Sequence, residues 1–200
     1  MLGSLADPRT LLLAVVVEAA LAPVGLLVCW FFRVPVAPQF PSPGGLPGWT
    51  LAGLLATAPL LAALAAVLRA RWAPLARLRE ESQRVAAHLL LGVGIGPLVA
   101  VSLAAGLGEE VLFRGALQPL LGSWLGAWGG VVGAAALFGF AHPISREYMA
   151  LAMLIGLYLG GLTLLTGNLV PAIVAHAAYD FVALCWLRNR MPEAQASETV

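Results

Sequence analysis

Six residues in the second half of the chain have the types and spacing that acid–base chemistry needs. They are Glu109, Glu110 and Arg114 in GEEVLFRG, His142 in LFGFAHP, and His176 with Asp180 in HAAYD. Four residues apart, Glu110 and Arg114 share a helix face and can pair. Glu109 is turned about 100° round the helix from Glu110, so Arg114 cannot readily neutralise both, and one carboxylate is left over. His176 and Asp180 repeat the i, i+4 spacing and point together at one place. His142 precedes Pro143, which frees backbone groups near it. A spare carboxylate beside two imidazoles can activate water, the carboxylate as general base and an imidazole orienting the water or carrying a proton. The same Glu109, His142 and His176 match the donors of a His₂Glu zinc site, so a divalent metal such as zinc is an equal reading. Sequence does not separate these two. Other hydrolytic designs are excluded by census: the histidines are His88, His142 and His176, with no His-Glu-x-x-His, the aspartates are Asp7 and Asp180, and neither Ser102 nor Ser123 sits in Gly-x-Ser-x-Gly.

The elements that position these groups are set by composition. The 200 residues are 60% hydrophobic and 10% charged, against about a quarter charged in a soluble domain, so the chain reads as an integral membrane protein. A net charge of +1 with no lysine gives no case for a nucleic-acid partner. Cys29 and Cys185 lie in apolar segments and read as packing residues. The first span runs from about Leu11 to Phe32, too long for the roughly 7–15-residue core of a signal sequence. A Pro/Gly-rich link follows, then a second span from about Trp49 to Leu68. Next comes a basic stretch holding Arg69, Arg71, Arg77, Arg79 and Arg84, which the positive-inside rule places in the cytoplasm. Arg9, Arg188 and Arg190 agree if the number of spans is even.

Residues 86–122 allow two topologies. Either Ala86 to Gly106 is a span, or GVGIGP breaks the run at Pro97, leaving Ala86 to Gly96 as a short interfacial or re-entrant piece and Leu98 to Leu121 as the span. Only the second puts Glu109 near mid-depth, roughly 16 Å from Leu98 at about 1.5 Å per residue. His142 then falls towards the cytoplasmic half and Asp180 near mid-depth, so the groups can meet. Further spans are expected at about Leu125 to His142, Tyr148 to Thr166 and Leu169 to Leu187. The fold expected is therefore all-α, a polytopic transmembrane bundle of about six spans plus a short interfacial or re-entrant helix, with both termini cytoplasmic. It divides into 1–85 (two spans and the basic loop), a helical core at 86–190 and a polar tail at 191–200. Gly-xxx-Gly spacings at Gly92/Gly96, Gly126/Gly130, Gly129/Gly133 and Gly156/Gly160 suit close helix packing. An ionisable side chain at the centre of a span costs about 2.5–3.5 kcal/mol on insertion scales, so each needs a partner or a purpose. Glu18, alone in the first span, has an open role. His88, Arg77, Arg79, Glu80 and Glu81 read as solvated, and Trp124 and Trp128 as an interfacial belt.

EEVLFRG, FGFAH and HAAYD, in this order, resemble the three motifs of the CPBP family of intramembrane proteases, the group of the type II CAAX prenyl proteases and of bacteriocin-processing or immunity-type proteins. The patterns are Glu-Glu-x-x-x-Arg, Phe-x-x-x-His and His-x-x-x-Asn/Asp, spread over about residues 98 to 187. The resemblance implies that Glu109 is the catalytic base, acting with His142 on the attacking water. It also implies that Glu110 and Arg114 form a supporting ion pair, and that His176 and Asp180 bind the oxyanion or order the site. Where better-studied members have Asn this chain has Asp180. An ionised Asp cannot donate to an oxyanion, so here it orients His176 or is itself protonated. The family includes members treated as metalloproteases, and a metal-free glutamate mechanism fits its motifs equally. The function expected is an intramembrane endopeptidase of the prokaryotic inner membrane, with a peptide or protein substrate, membrane-anchored or prenylated substrates being in the family's range. The alternatives are a non-catalytic scaffold or immunity protein on the same fold, and a proton- or ion-coupled transporter. Intact motif positions count against the first, and the lack of a visible inverted repeat against the second.

Overall fold

A computed structural model describes residues 8–90 and 92–197, and they form an all-helical bundle. Its helices are α1 (Pro8–Phe32), α2 (Leu46–Arg69), α3 (Ala73–Leu90), α4 (Ile95–Leu125), α5 (Ala127–Phe140), α6 (Arg146–Thr166) and α7 (Val170–Ser197). Pro23 and Pro59 lie inside α1 and α2, which membrane helices tolerate because neighbours satisfy the freed backbone groups. The Pro/Gly-rich link forms two short 3₁₀ turns, Ala37–Gln39 and Pro43–Gly45. Asp7 and residues 198–200 lie outside the described residues, as does the side chain of His88.

Five helices, α1, α2, α4, α6 and α7, are long and apolar enough to cross a membrane. The sixth expected span is α5, whose 14 residues reach only about 21 Å at 1.5 Å per residue, short of the roughly 30 Å hydrocarbon core. Two boundaries also differ from expectation. The basic stretch is not a loop: it is the first part of α3, which runs through the 85/86 boundary to Leu90. Leu78, Ala86 and Leu90 are buried against the bundle, at the four-residue spacing of one helix face. The break falls within GVGIGP, at Gly92, which has φ +77°, and Gly94, which is extended, so that the next helix starts at Ile95 and not at Leu98. Pro97 sits in the first turn of α4, where its missing N–H costs no helical bond.

The helix α4 is 31 residues long. Its middle, Glu110–Leu117, is wound as a π-helix between α-helical ends. Runs of this kind mark functional sites more often than not. The carbonyl of Gly115, within the widened part, accepts from the Gln39 amide at 3.0 Å and from Cys29 Sγ at 3.6 Å, which holds the first link against α4. At Gly126, again with φ +77°, the chain reverses directly into α5. Ser145 caps α6 through Tyr148 N (3.2 Å), and Asn168 Oδ1 accepts from Val170 N (2.8 Å) to start α7.

Around α4, α1 and α7 pack on its sides, α2 packs on α7, and α5 pairs with α6. Small residues let these helices approach. A Cβ on Gly53 would lie 2.6 Å from Val174 Cβ, on Gly106 2.7 Å from Ala177 Cβ, and on Gly25 2.8 Å from Leu112 Cα. Of the Gly-xxx-Gly pairs, Gly156 and Gly160 do face α5 and α4, whereas Gly96 has open space around it. The tightest contact with α1 is at Gly108, where a side chain would overlap the Glu18 carbonyl. Gly108→Ala must therefore push α1 away from α4. The expected loss is about 1–3 kcal/mol, read as a lower unfolding midpoint in mixed detergent. An unchanged midpoint would show that this contact does not hold α1.

Candidate active site

The six candidate residues come from two helices, α4 and α7, and the loop after α5, and the structure brings them into one cluster. Glu110 and Arg114 are fully buried at 0% and 1% side-chain exposure, and Arg114 Nη1 is 2.8 Å from Glu110 Oε1. Arg114 Nη2 donates to the Gly156 carbonyl of α6 at 3.3 Å, and its guanidinium lies 4.3 Å from the centre of the Phe138 ring. Burying a charge is tolerable only when it is paired and hydrogen-bonded, and this arginine meets a carboxylate, a carbonyl and an aromatic face.

The same Glu110 oxygen is 2.8 Å from His176 Nδ1. With Nδ1–H donating to Glu110, Nε2 of His176 turns towards Glu109 Oε2 at 3.7 Å and Asp180 Oδ2 at 3.4 Å. His142 is fixed in the same sense from the other side. Its Nδ1 is 2.8 Å from the Phe138 carbonyl, which can only accept, so Nδ1 carries the proton and Nε2 keeps its lone pair. That Nε2 is 3.7 Å from Glu109 Oε1. Each oxygen of Glu109 thus faces one imidazole, at a separation too long for a direct hydrogen bond.

Phe138 holds the arrangement together. Its carbonyl orients His142, its ring packs against Arg114, and its centroid is 4.7 Å from that of His142 and 5.9 Å from that of His176. It lies in the last turn of α5, and the turn that follows the helix brings His142 back onto it. Tyr148, at the start of α6, stacks on the outer side of His142 with centroids 6.1 Å apart. Tyr148 and Tyr179 have no role in the sequence reading, Ser102 enters it only as a rejected nucleophile and the role of Glu18 is left open, yet all four line the same cavity. The signal for Tyr148 was present in AHPISREY, where a short turn after His142 returns the chain to the site. Of the residues read as solvated, Arg77 pairs with Glu147 at 3.0 Å and Arg79 Nη1 donates to the Leu68 carbonyl at 3.1 Å, capping the end of α2. Trp124 and Trp128 are exposed, as a belt requires.

The cavity beside Glu109 has a volume of about 400 Å³. Its walls include Leu60, Leu64, Leu151 and Ile155, and α3 contributes Arg79 and Ser82 at its other end. The orientation of both imidazoles, with Nδ1 anchored and Nε2 facing inwards, is one that zinc ligands share. Among the described residues, however, no three His, Cys, Asp or Glu side chains form a group that could hold a metal ion.

Removal of Arg114 would leave Glu110 as a buried carboxylate with only His176 to meet it. Arg114→Met is expected to lose about 3–5 kcal/mol, whereas Glu110→Gln combined with Arg114→Met should recover part of that loss. Unfolding midpoints of the two proteins in detergent test this, and equal midpoints for Arg114→Met and wild type would remove the pair from the account.

No curated protein and no solved structure matches the chain. A family model does match, over residues 91–182, and its description is Type II CAAX prenyl endopeptidase Rce1-like. The matched segment contains Glu109, Glu110, Arg114, His142, His176 and Asp180. Over that segment, 92 of the 200 residues, this integral membrane protein is similar to the type II CAAX prenyl endopeptidases, the protease group that its three motifs resemble.

Proposed function

We propose that the protein is an intramembrane endopeptidase that hydrolyses a peptide bond with water activated by Glu109 and His142, without a metal. The observation that carries this reading is the pair of imidazole Nε2 atoms, each 3.7 Å from a different oxygen of one carboxylate. A water between Glu109 Oε1 and His142 Nε2 donates one hydrogen to each, since both are acceptors. Glu109 takes the proton as the oxygen attacks the carbonyl carbon, and later gives it to the departing amine, so one carboxylate serves as base and then acid.

His176 and Asp180 face the opposite side of Glu109. Asp180 Oδ2 and His176 Nε2 are 3.4 Å apart. A proton carried by either of them would face the other. That proton is the donor available to the tetrahedral oxyanion, which allows Asp180 to serve where other members have Asn. The Glu110 and Arg114 pair acts through His176, fixing its ring by the Nδ1 bond.

The substrate is a peptide or protein, and the apolar walls of the cavity favour a membrane-anchored or prenylated one. Orientation follows from charge. The end of α2, α3, the starts of α4 and α6 and the later part of α7 meet on one face, tied by the contacts of Arg79 and Arg77 and by Arg188 Nη1 to the Val93 carbonyl at 3.5 Å. Arg69, Arg71, Arg84, Arg146 and Arg190 lie along the same elements, so this face is cytoplasmic by the positive-inside rule. Both termini are then inside, in the inner membrane of a prokaryotic cell.

Cleavage of a proteome-derived peptide library by the purified, detergent-solubilised protein tests the reaction. Glu109→Ala should lower the rate by about 10²–10⁴, and a chelator should leave it unchanged with no stoichiometric zinc in the protein. A rate untouched by Glu109→Ala would sink the assignment of the base, and loss on chelation would restore the metal reading. Reporter fusions after Arg190 and after Leu125 should report opposite sides of the membrane; the same side for both would overturn the orientation.

A further inference from the structure

Glu18 is the one carboxylate on the face that α1 turns to the rest of the protein. That face is a stripe of Leu11, Ala14, Val15, Glu18, Leu21, Ala22, Gly25 and Cys29, while Leu12, Leu13, Val16, Val17, Leu26 and Leu27 are exposed on the other side. The stripe repeats at helical spacing. Two close approaches fix it on α4: Gly25 over Leu112, and Gly108 under the backbone carbonyl of Glu18 itself. Gly108 precedes Glu109, so the contact that seats α1 also sets the distance between the two glutamates.

Their carboxyl groups lie within hydrogen-bonding reach of one another. Both line the same cavity, and each has its Oε2 atom buried without a partner. Two ionised carboxylates can only accept, so a hydrogen bond between them requires one shared proton. We propose that Glu18 is a positioning residue for Glu109: the shared hydrogen bond holds the Glu109 carboxyl in the rotamer that presents its oxygens to His142 and His176. This rests on the assignment of Glu109 as the base, and it extends the site to a helix outside the segment that the family model matches.

A hydrogen bond and a packing contact respond differently to substitution. Methionine at position 18 keeps length and volume but neither donates nor accepts usefully, whereas glutamine can do both. In the peptide-cleavage assay, Glu18→Met is expected to lower kcat roughly tenfold or more with KM nearly unchanged, the pattern of a group that matters only as the reaction proceeds. Glu18→Gln should recover most of that loss. Wild-type kcat in Glu18→Met would overturn the proposal, and so would a Glu18→Gln enzyme as slow as Glu18→Met. An infrared difference spectrum provides a readout that needs no activity and no apolar variant. The carboxylic acid C=O stretching band of the wild type should be lost or shifted in Glu18→Gln, and Glu109→Gln should alter the same band. Identical spectra would overturn the shared proton even if the protein proves to be a protease. The expected spectral change in a protein that cleaves nothing would uphold the glutamate pair while removing the reaction assigned to it.

Discussion

A carboxylate with no exposed surface, Glu110, is the constraint to which the rest of the site answers. Its Oε1 atom is 2.8 Å from both Arg114 Nη1 and His176 Nδ1. In a medium of low dielectric a charge in that position is sustained only by partners of opposite sign or by strong donors. Arg114 is bound in turn to the backbone of α6 and lies against Phe138 of α5, while His176 belongs to α7. Satisfying one buried charge therefore joins four helices at one level. It also determines which nitrogen of His176 is free, since donation from Nδ1 leaves Nε2 for Glu109 and Asp180. The buried pair and the spare carboxylate Glu109 are neighbours in sequence because one helix has to present both, in directions about 100° apart.

Backbone geometry makes that presentation possible. The change from α to π winding begins at Glu110, directly after Glu109. A wider turn, with its i→i+5 bonding, alters the direction of the residues that follow relative to those before. Glu109 thus remains on the face shared with α1 and the cavity, while Glu110 and Arg114 turn to α6 and α7. Gly108 and Gly106 carry no side chains where α1 and α7 come closest. Small residues do here what they do generally between helices in lipid, where packing rather than apolar burial drives association.

Much of this was legible in the sequence because ionisable residues are scarce in an apolar chain. The pairing of Glu110 with Arg114 follows from helical spacing, and the approach of His142 and His176 to Glu109 follows from span order and depth. What escaped has identifiable causes. A π segment has no residue signature, since it is a property of the backbone path. Pro97 read as a breaker because proline interrupts a helix interior, yet in a first turn it interrupts nothing. Charged residues disguised α3 as a loop, although Leu78, Ser82, Ala86 and Leu90 already mark a helical face at four-residue steps. Glu18 was visible but had no address: α1 is apolar on every side, so its sequence does not say which face docks.

Hydrolysis inside a bilayer requires water where lipid excludes it, and α3 suggests how the two demands coexist. The cavity at Glu109 also touches Leu78, Arg79, Ser82 and Ala86 of α3. A helix lying over its end with Leu78 and Ala86 buried and Arg77 largely exposed can close the apolar chamber while keeping polar groups at its rim. Apolar walls of Leu60, Leu64, Leu151 and Ile155 share the lining with polar groups, Glu109 and its histidines together with Arg79 and Ser82. Charged groups placed this way face the protein interior or the basic surface and not the acyl chains, which is the arrangement that membrane insertion demands of them. The cavity therefore offers water polar partners within largely apolar walls.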